Sequence, residues 1–306
     1  MIRKQATVVV IGSLNMDLVV EVDSPPKVGE TKFGKNVRFI PGGKGANQAV
    51  ALAKLGASTR MIGAVGKDAF GDQIIHSMKQ IGVDMGQVKQ LDDVPTGIAS
   101  ILLTEGDNSI IVVSGANSFC LPADLDQHSE AIEQADLLLL QLEIPLETVA
   151  YGIQIAKQQN KRVVLNPAPA RELPSELLSG VDFITPNQLE LAALSGIDVT
   201  DETLEEAMKC LQQRGARNVI TTLGSKGCAY LTESGEMGLV SGYRVDVVDT
   251  TGAGDAFNAG LAYSLAAGKP LIEAIETATI VSALSVTKFG AQGGMPTLED
   301  VMNFRV

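Results

Sequence analysis

The sequence predicts an α/β fold built on a mainly parallel, doubly wound sheet, and three observations carry that expectation. Short β-branched runs recur along the chain, stretches of helical spacing separate them, and two segments break the alternation. Core strands are expected at 7–12, 59–63, 136–141, 162–166, 182–185 and 218–222. Between them Ala46, Ala49, Val50 and Ala53 fall at i, i+3, i+4 and i+7, as do Leu146, Val149, Ala150 and Ile153. That spacing puts the apolar side chains on one face, as in helices that cover a sheet. Residues 18–40 and 96–114 hold strand-like residues among Gly, Pro, Asp and Asn turns, with no helical period. They read as antiparallel strands appended to one edge, a lobe that serves as lid, dimer surface or both, because unpaired edges need cover. From about Gly252 the chain turns helical, over 256–267, 271–286 and 297–304. No repeat, low-complexity tract or linker interrupts it, so 1–306 reads as one domain with a lobe.

Composition narrows the function. With 306 residues and 45% hydrophobic content the chain can bury a large core. Lys and Arg number 24 against 36 Asp and Glu, a net charge of −12, the wrong sign for nucleic acid or an anionic membrane. Two His, and three Cys at 120, 210 and 228 without C-x-x-C, make neither a zinc quartet nor a disulfide framework. The start, Met1 to Thr7, is charged like a signal-peptide n-region, but only Val8-Val9-Val10-Ile11 follow before Gly12-Ser13. Leu137 to Leu140 falls far short of the ~20 apolar residues of a bilayer span. A soluble protein of a reducing, cytoplasmic compartment is expected.

Several chemistries drop out. Gly43-Lys44 is followed by Gly45 and Gly268-Lys269 by Pro270, so no Walker-type phosphate loop exists. Gly252-Ala253-Gly254-Asp255-Ala256 ends in Phe257, which fails the Rossmann fingerprint. His76 and His128 fall inside expected helices without a partner motif, leaving no Ser-His-Asp or Cys-His site. Carboxylates, amides, backbone N–H groups and lysines must carry the chemistry.

Two glycine loops that open helices offer it. In Asp249-Thr250-Thr251-Gly252-Ala253-Gly254-Asp255-Ala256-Phe257-Asn258, small residues let bare N–H groups converge on an anion and the helix dipole adds to the attraction. Asp255 beside such a hole is poorly placed to bind phosphate and well placed to accept a proton from an attacking hydroxyl; the plainer reading is a first-turn carboxylate that stabilises the dipole. Pro41-Gly42-Gly43-Lys44-Gly45-Ala46-Asn47-Gln48 either lets a ligand touch backbone or makes a tight strand-to-helix turn. Asn15 and Asp17 follow the first strand, where a carboxylate and an amide can grip neighbouring hydroxyls or simply form a turn. Asn187 and Glu190 spell a capping box at a helix start. Thr222-Leu223-Gly224-Ser225-Lys226-Gly227 is a strand and Gly-bounded loop that carries a nucleotide or merely turns.

Together these segments resemble the ribokinase family of carbohydrate kinases over essentially the whole chain. Gly42 to Ala49 is similar to the family's N-terminal sugar-site signature, and Asp249 to Phe257 to its C-terminal D-T-x-x-A/G-G-D signature. Gly66-Lys67-Asp68-Ala69-Phe70-Gly71, Gln141-Leu142-Glu143, Asn166-Pro167-Ala168-Pro169-Ala170, Thr185-Pro186-Asn187 with Glu190, and Thr222 to Gly227 follow in the family's order. The resemblance implies a three-layer α/β/α core with a small β-sheet lid over a sugar, the lid also forming a homodimer contact. It implies Asp255 as general base, with Gly252, Ala253 and Gly254 as the anion hole for a transferring phosphoryl group. Asn15, Asp17, Gly42, Gly43, Lys44, Asn47 and Glu143 would hold the sugar alongside Asp255. Asn187 and Glu190 would serve ATP phosphates and Mg²⁺, and Thr222, Leu223, Gly224, Ser225, Lys226 and Gly227 would line the nucleotide.

Two departures stand out: Thr279 replaces the Asn or His that many relatives place near adenine, and Lys288 replaces an Arg in V-T-R-x-G-A. The Asn15-Met16-Asp17 spacing after Gly12-Ser13 favours the ribose branch over fructokinase, adenosine kinase or phosphofructokinase relatives. The expected reaction is ATP-dependent phosphorylation of D-ribose at O5, with 2-deoxyribose, another small sugar or a nucleoside as alternatives, and a non-catalytic sugar-binding protein beyond them. A K⁺ activator site is carried over onto Asp249, Thr251, Ser285, Lys288, Gly290 and Gly294, mostly through backbone carbonyls.

Overall fold

The computed structural model describes residues 5–104 and 107–304. The charged start at 1–4 and positions 105 and 106 of the second lobe segment lie outside them. The chain opens with strand β1 (Thr7–Ile11), then β2 (Asn15–Glu21), β3 (Asn36–Gly42), helix α1 (Lys44–Lys54), β4 (Ser58–Gly66), α2 (Ala69–Ile81) and β5 (Asp84–Leu91). Next come β6 (Gly97–Thr104) and β7 (Asp107–Val113), the short helices α3 (Pro122–Gln127) and α4 (Ser129–Glu133), then β8 (Leu137–Leu140) and α5 (Leu146–Gln158). The third stretch is β9 (Arg162–Leu165), α6 (Ser175–Leu178), β10 (Phe183–Ile184), α7 (Gln188–Ser195), α8 (Leu204–Gln213) and β11 (Asn218–Thr222). It closes with β12 (Gly227–Leu231), β13 (Met237–Ser241), α9 (Ala253–Ala266), α10 (Leu271–Ser285), α11 (Ala291–Gly294) and α12 (Leu298–Asn303).

The main sheet runs β13-β12-β11-β10-β9-β8-β1-β4-β5. From β11 to β5 every pairing is parallel, and only the pairings of β12 with β11 and β13 are antiparallel. All six expected strands are present; β5, β12 and β13 add to them at the edges. Because strand side chains alternate faces, Val8 and Val10 of β1 enter one core with α1, α2, α9 and α10. Val9 and Ile11 enter the other, with α5, α7 and α8. Burial on both faces is why β1 reads as a continuous Val/Ile run. Helices on each face make the three layers α/β/α.

The lobe is a four-stranded sheet of order β3-β2-β6-β7. It is mixed: β2–β3 and β6–β7 are antiparallel, but β2–β6 is parallel, because the chain leaves for α1, β4, α2 and β5 before it returns. His128 also departs from expectation, standing at the junction of α3 and α4 rather than inside a helix. Among the described residues no helix is long and apolar enough to cross a membrane.

Candidate active site

From β1 the sheet extends to β4 and β5 on one side and to β8, β9, β10 and β11 on the other, so the order reverses at β1. Open α/β sheets place ligands outside the strand C-termini at such a reversal. Polar residues gather there: Ser13 and Asn15 past β1, Gln141 and Glu143 past β8, Asn166 past β9, Asn187 past β10 and Thr222 at the end of β11.

Asp255 lies in the first turn of α9 with only 6% of its surface exposed. Asn47 Nδ2 donates to its Oδ2 at 2.9 Å and Gln48 Nε2 to its Oδ1 at 3.0 Å. Both donors come from the start of α1, so one glycine loop delivers the clamp for a carboxylate some 200 residues away. Burial pushes the Asp255 pKa up, while the charge of Lys44 and the Asn47 and Gln48 donors act against it. Burial works to discharge Lys44, yet Asp255, Glu143 and Glu190 together hold its ammonium above its ordinary pKa. A buried carboxylate and a retained cation thus lie within reach of each other's charge.

On the lobe side, Asp17 is pushed up to about 7, first by burial and then by Glu143 and Asp255. A Cβ on Gly42 would lie 2.3 Å from Asp17 Oδ2, and Gly43 has φ 90°, so both glycines are required for the turn that brings Lys44 in. Glu143 Oε2 accepts from Ser13 Oγ at 2.6 Å and from the Lys44 backbone N–H at 3.1 Å. Asn15 Oδ1 accepts from Asn117 Nδ2 at 2.7 Å. Asn15, Asn117 and Glu143 line a cavity of about 360 Å³ that Val112 of the lobe borders.

A groove of about 700 Å³ runs past Thr222, Gly224, Ser225, Gly227, Thr279 and the first turn of α9. It shares Thr222, Gly224, Thr250, Ala253 and Gly254 with a second cavity of about 440 Å³ that reaches Lys44, Asn187, Glu190 and Asp255. Asn187 caps α7 with the expected box: its Oδ1 accepts from Glu190 N at 2.8 Å and Glu190 Oε2 from Asn187 N at 2.9 Å. Burial raises the Glu190 pKa. First-turn N–H groups lack intrahelical acceptors; that of Ala253 bonds Thr250 O at 3.2 Å, whereas Gly254 borders both cavities.

Not every expected residue joins the groove. Leu223 packs against the core instead, and Lys226 turns its ammonium to Asp201 at 3.0 Å. Farther along, Asp249 Oδ1 accepts from Thr251 N and Oγ1 at 2.9 and 2.7 Å, and its Oδ2 from Gly290 N at 2.8 Å. The Ser285 carbonyl crowds Gly294, with the Lys288 carbonyl nearby. Sequence reasoning left out Gln48, Asn166, Asn117 and the Tyr243 to Val247 wall of the groove. Gln48 had a signal, a polar residue beside Asn47 in the glycine loop; Asn117 sits in a turn past β7 with none.

Residues 5–298 match the model of the pfkB family carbohydrate kinases. The chain is 41% identical over 300 residues to a ribokinase of Haemophilus influenzae, covering 97% of this chain and 98% of that one. It is 38% identical over 295 residues to a deoxyribokinase of Salmonella typhi, covering 95% and 96%. A ribokinase of Arabidopsis thaliana, solved with ribose and ATP, superposes with a TM-score of 0.93 at 35% identity, covering 98% of this chain and all of that one. A buried carboxylate at an N–H-rich helix start, lining a cavity that is continuous with the larger groove, agrees with that likeness: the chain belongs to the pfkB family of carbohydrate kinases.

Proposed function

We propose that this chain transfers the γ-phosphoryl group of ATP to O5 of D-ribose, giving ribose 5-phosphate. The observation that carries the reading is the Asp255 carboxylate, clamped by Asn47 and Gln48 in the cavity that also holds Lys44, Asn187 and Glu190. Ribose sits in the pocket of Asn15, Asp17, Gly42, Gly43, Lys44, Asn47 and Glu143, its O5 towards Asp255. Asp255 takes the hydroxyl proton as the phosphoryl group departs through a loose transition state. Lys44 and the N–H groups of the 252–254 turn meet the charge on the transferring oxygens. ATP lies along Thr222 to Gly227 with its adenine near Thr279. An anion hole and an intact base favour catalysis over mere sugar binding.

Glu190 and Asn187 fit a Mg²⁺ ion held mainly by phosphates and water, since among the described residues no group of three or more His, Cys, Asp or Glu could cage a metal. When bound, Mg²⁺ neutralises charge on the β- and γ-phosphates. K⁺ is assigned to Asp249, Thr251, Ser285, Lys288, Gly290 and Gly294; a carboxylate held ionised by hydrogen bonds from Thr251 and Gly290, with the Ser285 and Lys288 carbonyls beside Gly294, suits a cation of several oxygen ligands. Residues 1–306 act as one kinase domain, its lid inserted at about 18–40 and 96–114. The lid pairs with its twin in a homodimer through β7, an edge strand whose Ile110 to Val113 are exposed. Three free cysteines and the need for ATP fit the cytoplasm, and the net charge of −12 argues against nucleic acid and anionic membrane as partners.

Likeness to a deoxyribokinase keeps 2-deoxyribose as the alternative. An ADP-release assay over a sugar panel separates them. Buried polar groups left unpaired by a missing hydroxyl discriminate strongly, so ribose should have the higher kcat/KM. A value for 2-deoxyribose equal to or above that for ribose would make the chain a deoxyribokinase instead.

A further inference from the structure

The two amides that hold Asp255 can each be turned end for end. Turned the wrong way, a carbonyl oxygen would face the carboxylate, acceptor against acceptor. Behind each stands a second amide that donates to its carbonyl oxygen. Gln292 Nε2 donates to Asn47 Oδ1 at 3.2 Å, which leaves Asn47 Nδ2 for Asp255. Gln141 Nε2 donates to Gln48 Oε1 at 2.5 Å, which leaves Gln48 Nε2 for Asp255 and for Asn166 Oδ1 at 3.1 Å. Both oxygens of the base are therefore met by donors whose own carbonyl ends are engaged one bond further out.

Folding alone does not account for these positions. Gln141 is fully buried and its Oε1 has no hydrogen-bond partner among the described residues, an arrangement that works against folding. A Cβ on Gly12 would lie 1.9 Å from that oxygen, so the exit of β1 is kept bare for it. Gln292 is likewise buried, and it reaches Asn47 across 245 residues of chain. Its turn is tied to α1 by Lys54, whose Nζ donates to Gln292 O at 2.8 Å and Met295 O at 3.1 Å. Lys54 follows Asn47 by two helical turns, on the same face. One side of α1 thus grips both the backbone and the side chain of this turn.

We propose that Gln292 is a positioning residue for phosphoryl transfer: through Asn47 it keeps a donor on Asp255 Oδ2 and so ties the 290–294 turn to the base. The proposal rests on the reading of Asp255 as the base. Gln292 touches neither sugar nor ATP in this scheme, so its loss should fall on kcat.

A kinetic double-mutant cycle tests it, with Gln292→Met, Asn47→Ala, the pair together, and Asp255→Asn as a separate control. Gln292→Met should lower kcat about 10-fold, the scale of one hydrogen bond to a charged group, with both KM values within about 3-fold of the parent. In the Asn47→Ala background the same substitution should change nothing further. Gln292→Glu keeps the length but offers only acceptors, so Asn47 must turn its N–H towards it and kcat should fall further; if the Met variant does not fold, the Glu variant takes its place in the cycle. Additive losses in the two backgrounds, or a Gln292→Glu kcat within about 2-fold of the parent, would overturn the proposal. Near-normal turnover by Asp255→Asn would sink the base reading itself, whereas an inactive Asp255→Asn with additive Gln292 and Asn47 losses would sink the positioning role alone.

Discussion

Asp17 should make the ligand-free protein less stable than it would be with an amide in its place. Its pKa is raised from 3.8 to about 7 by burial and by the charges of Glu143 and Asp255. Between those values the folded state holds a proton that the unfolded state has released, so stability falls as pH rises through the window. Below the lower value the penalty is absent; above the upper one it is complete. At about 1.36 kcal/mol per pKa unit, the penalty is about 4 kcal/mol at pH 8 and less than half of that at pH 5. Asp17→Asn cannot ionise and should recover it. An unfolding entropy of about 2.1 cal/mol/K per residue, over 306 residues, makes 4 kcal/mol equivalent to about 6 °C in Tm. Melting by circular dichroism suits a chain without Trp. Tm of Asp17→Asn should exceed the parent's at pH 8 and the gain should shrink by more than half at pH 5. Added ribose should raise the parent's Tm more than the variant's, since sugar hydroxyls donate to the ionised carboxylate. A variant no more stable than the parent at pH 8, or a gain equal at both pH values, would refute the reasoning.

Gly42→Ala would drive a methyl into the Asp17 carboxylate; the KM for ribose should rise about 10-fold or more while that for ATP changes little, and an unchanged ribose KM would show that Asp17 does not touch the sugar. In Tris buffer the parent should run faster in KCl than in choline chloride at matched ionic strength, and Asp249→Ala should lose that difference; equal rates for the parent would remove the cation site. Light scattering should find a dimer for the parent and a monomer for Ile111→Lys, which puts a charge on the exposed edge of β7; a monomeric parent would remove the clasp.

Legibility in the sequence followed how local each determinant is. Val8-Val9-Val10-Ile11 announces a strand buried on both faces, and the helical spacing from Ala46 announces α1, because each pattern lies within one element. Strands β5, β12 and β13 lie at the sheet's ends, where Asp84-Met85-Gly86-Gln87 and the glycines of 227 and 238 dilute the apolar pattern. Leu18, Val20 and Val22 alternate with Val19, Glu21 and Asp23 as in an edge strand with apolar content, yet β2 lies inside the lid between β3 and β6, and the exposed apolar edge is β7. Pairing partners are a property of the assembled sheet, so that error could not be seen in the strand itself. Within the site, Gly42, Gly43 and the Gly252 to Asp255 turn were readable because backbone approach leaves few residue choices. Asn117, Gln141 and Gln292 act through contacts with residues 93 to 245 positions away, and nothing adjacent to them in sequence marks those contacts.

The central claim is that Asp255 accepts the proton of the attacking hydroxyl, and the Asp255→Asn variant tests it most directly when turnover and ribose binding are measured on the same preparation. The amide keeps the shape of the carboxylate and removes the base. Calorimetry should find ribose affinity largely retained while kcat falls by roughly 10²-fold or more, the usual contribution of a general base. Turnover close to the parent's in a variant that still binds ribose would contradict the account.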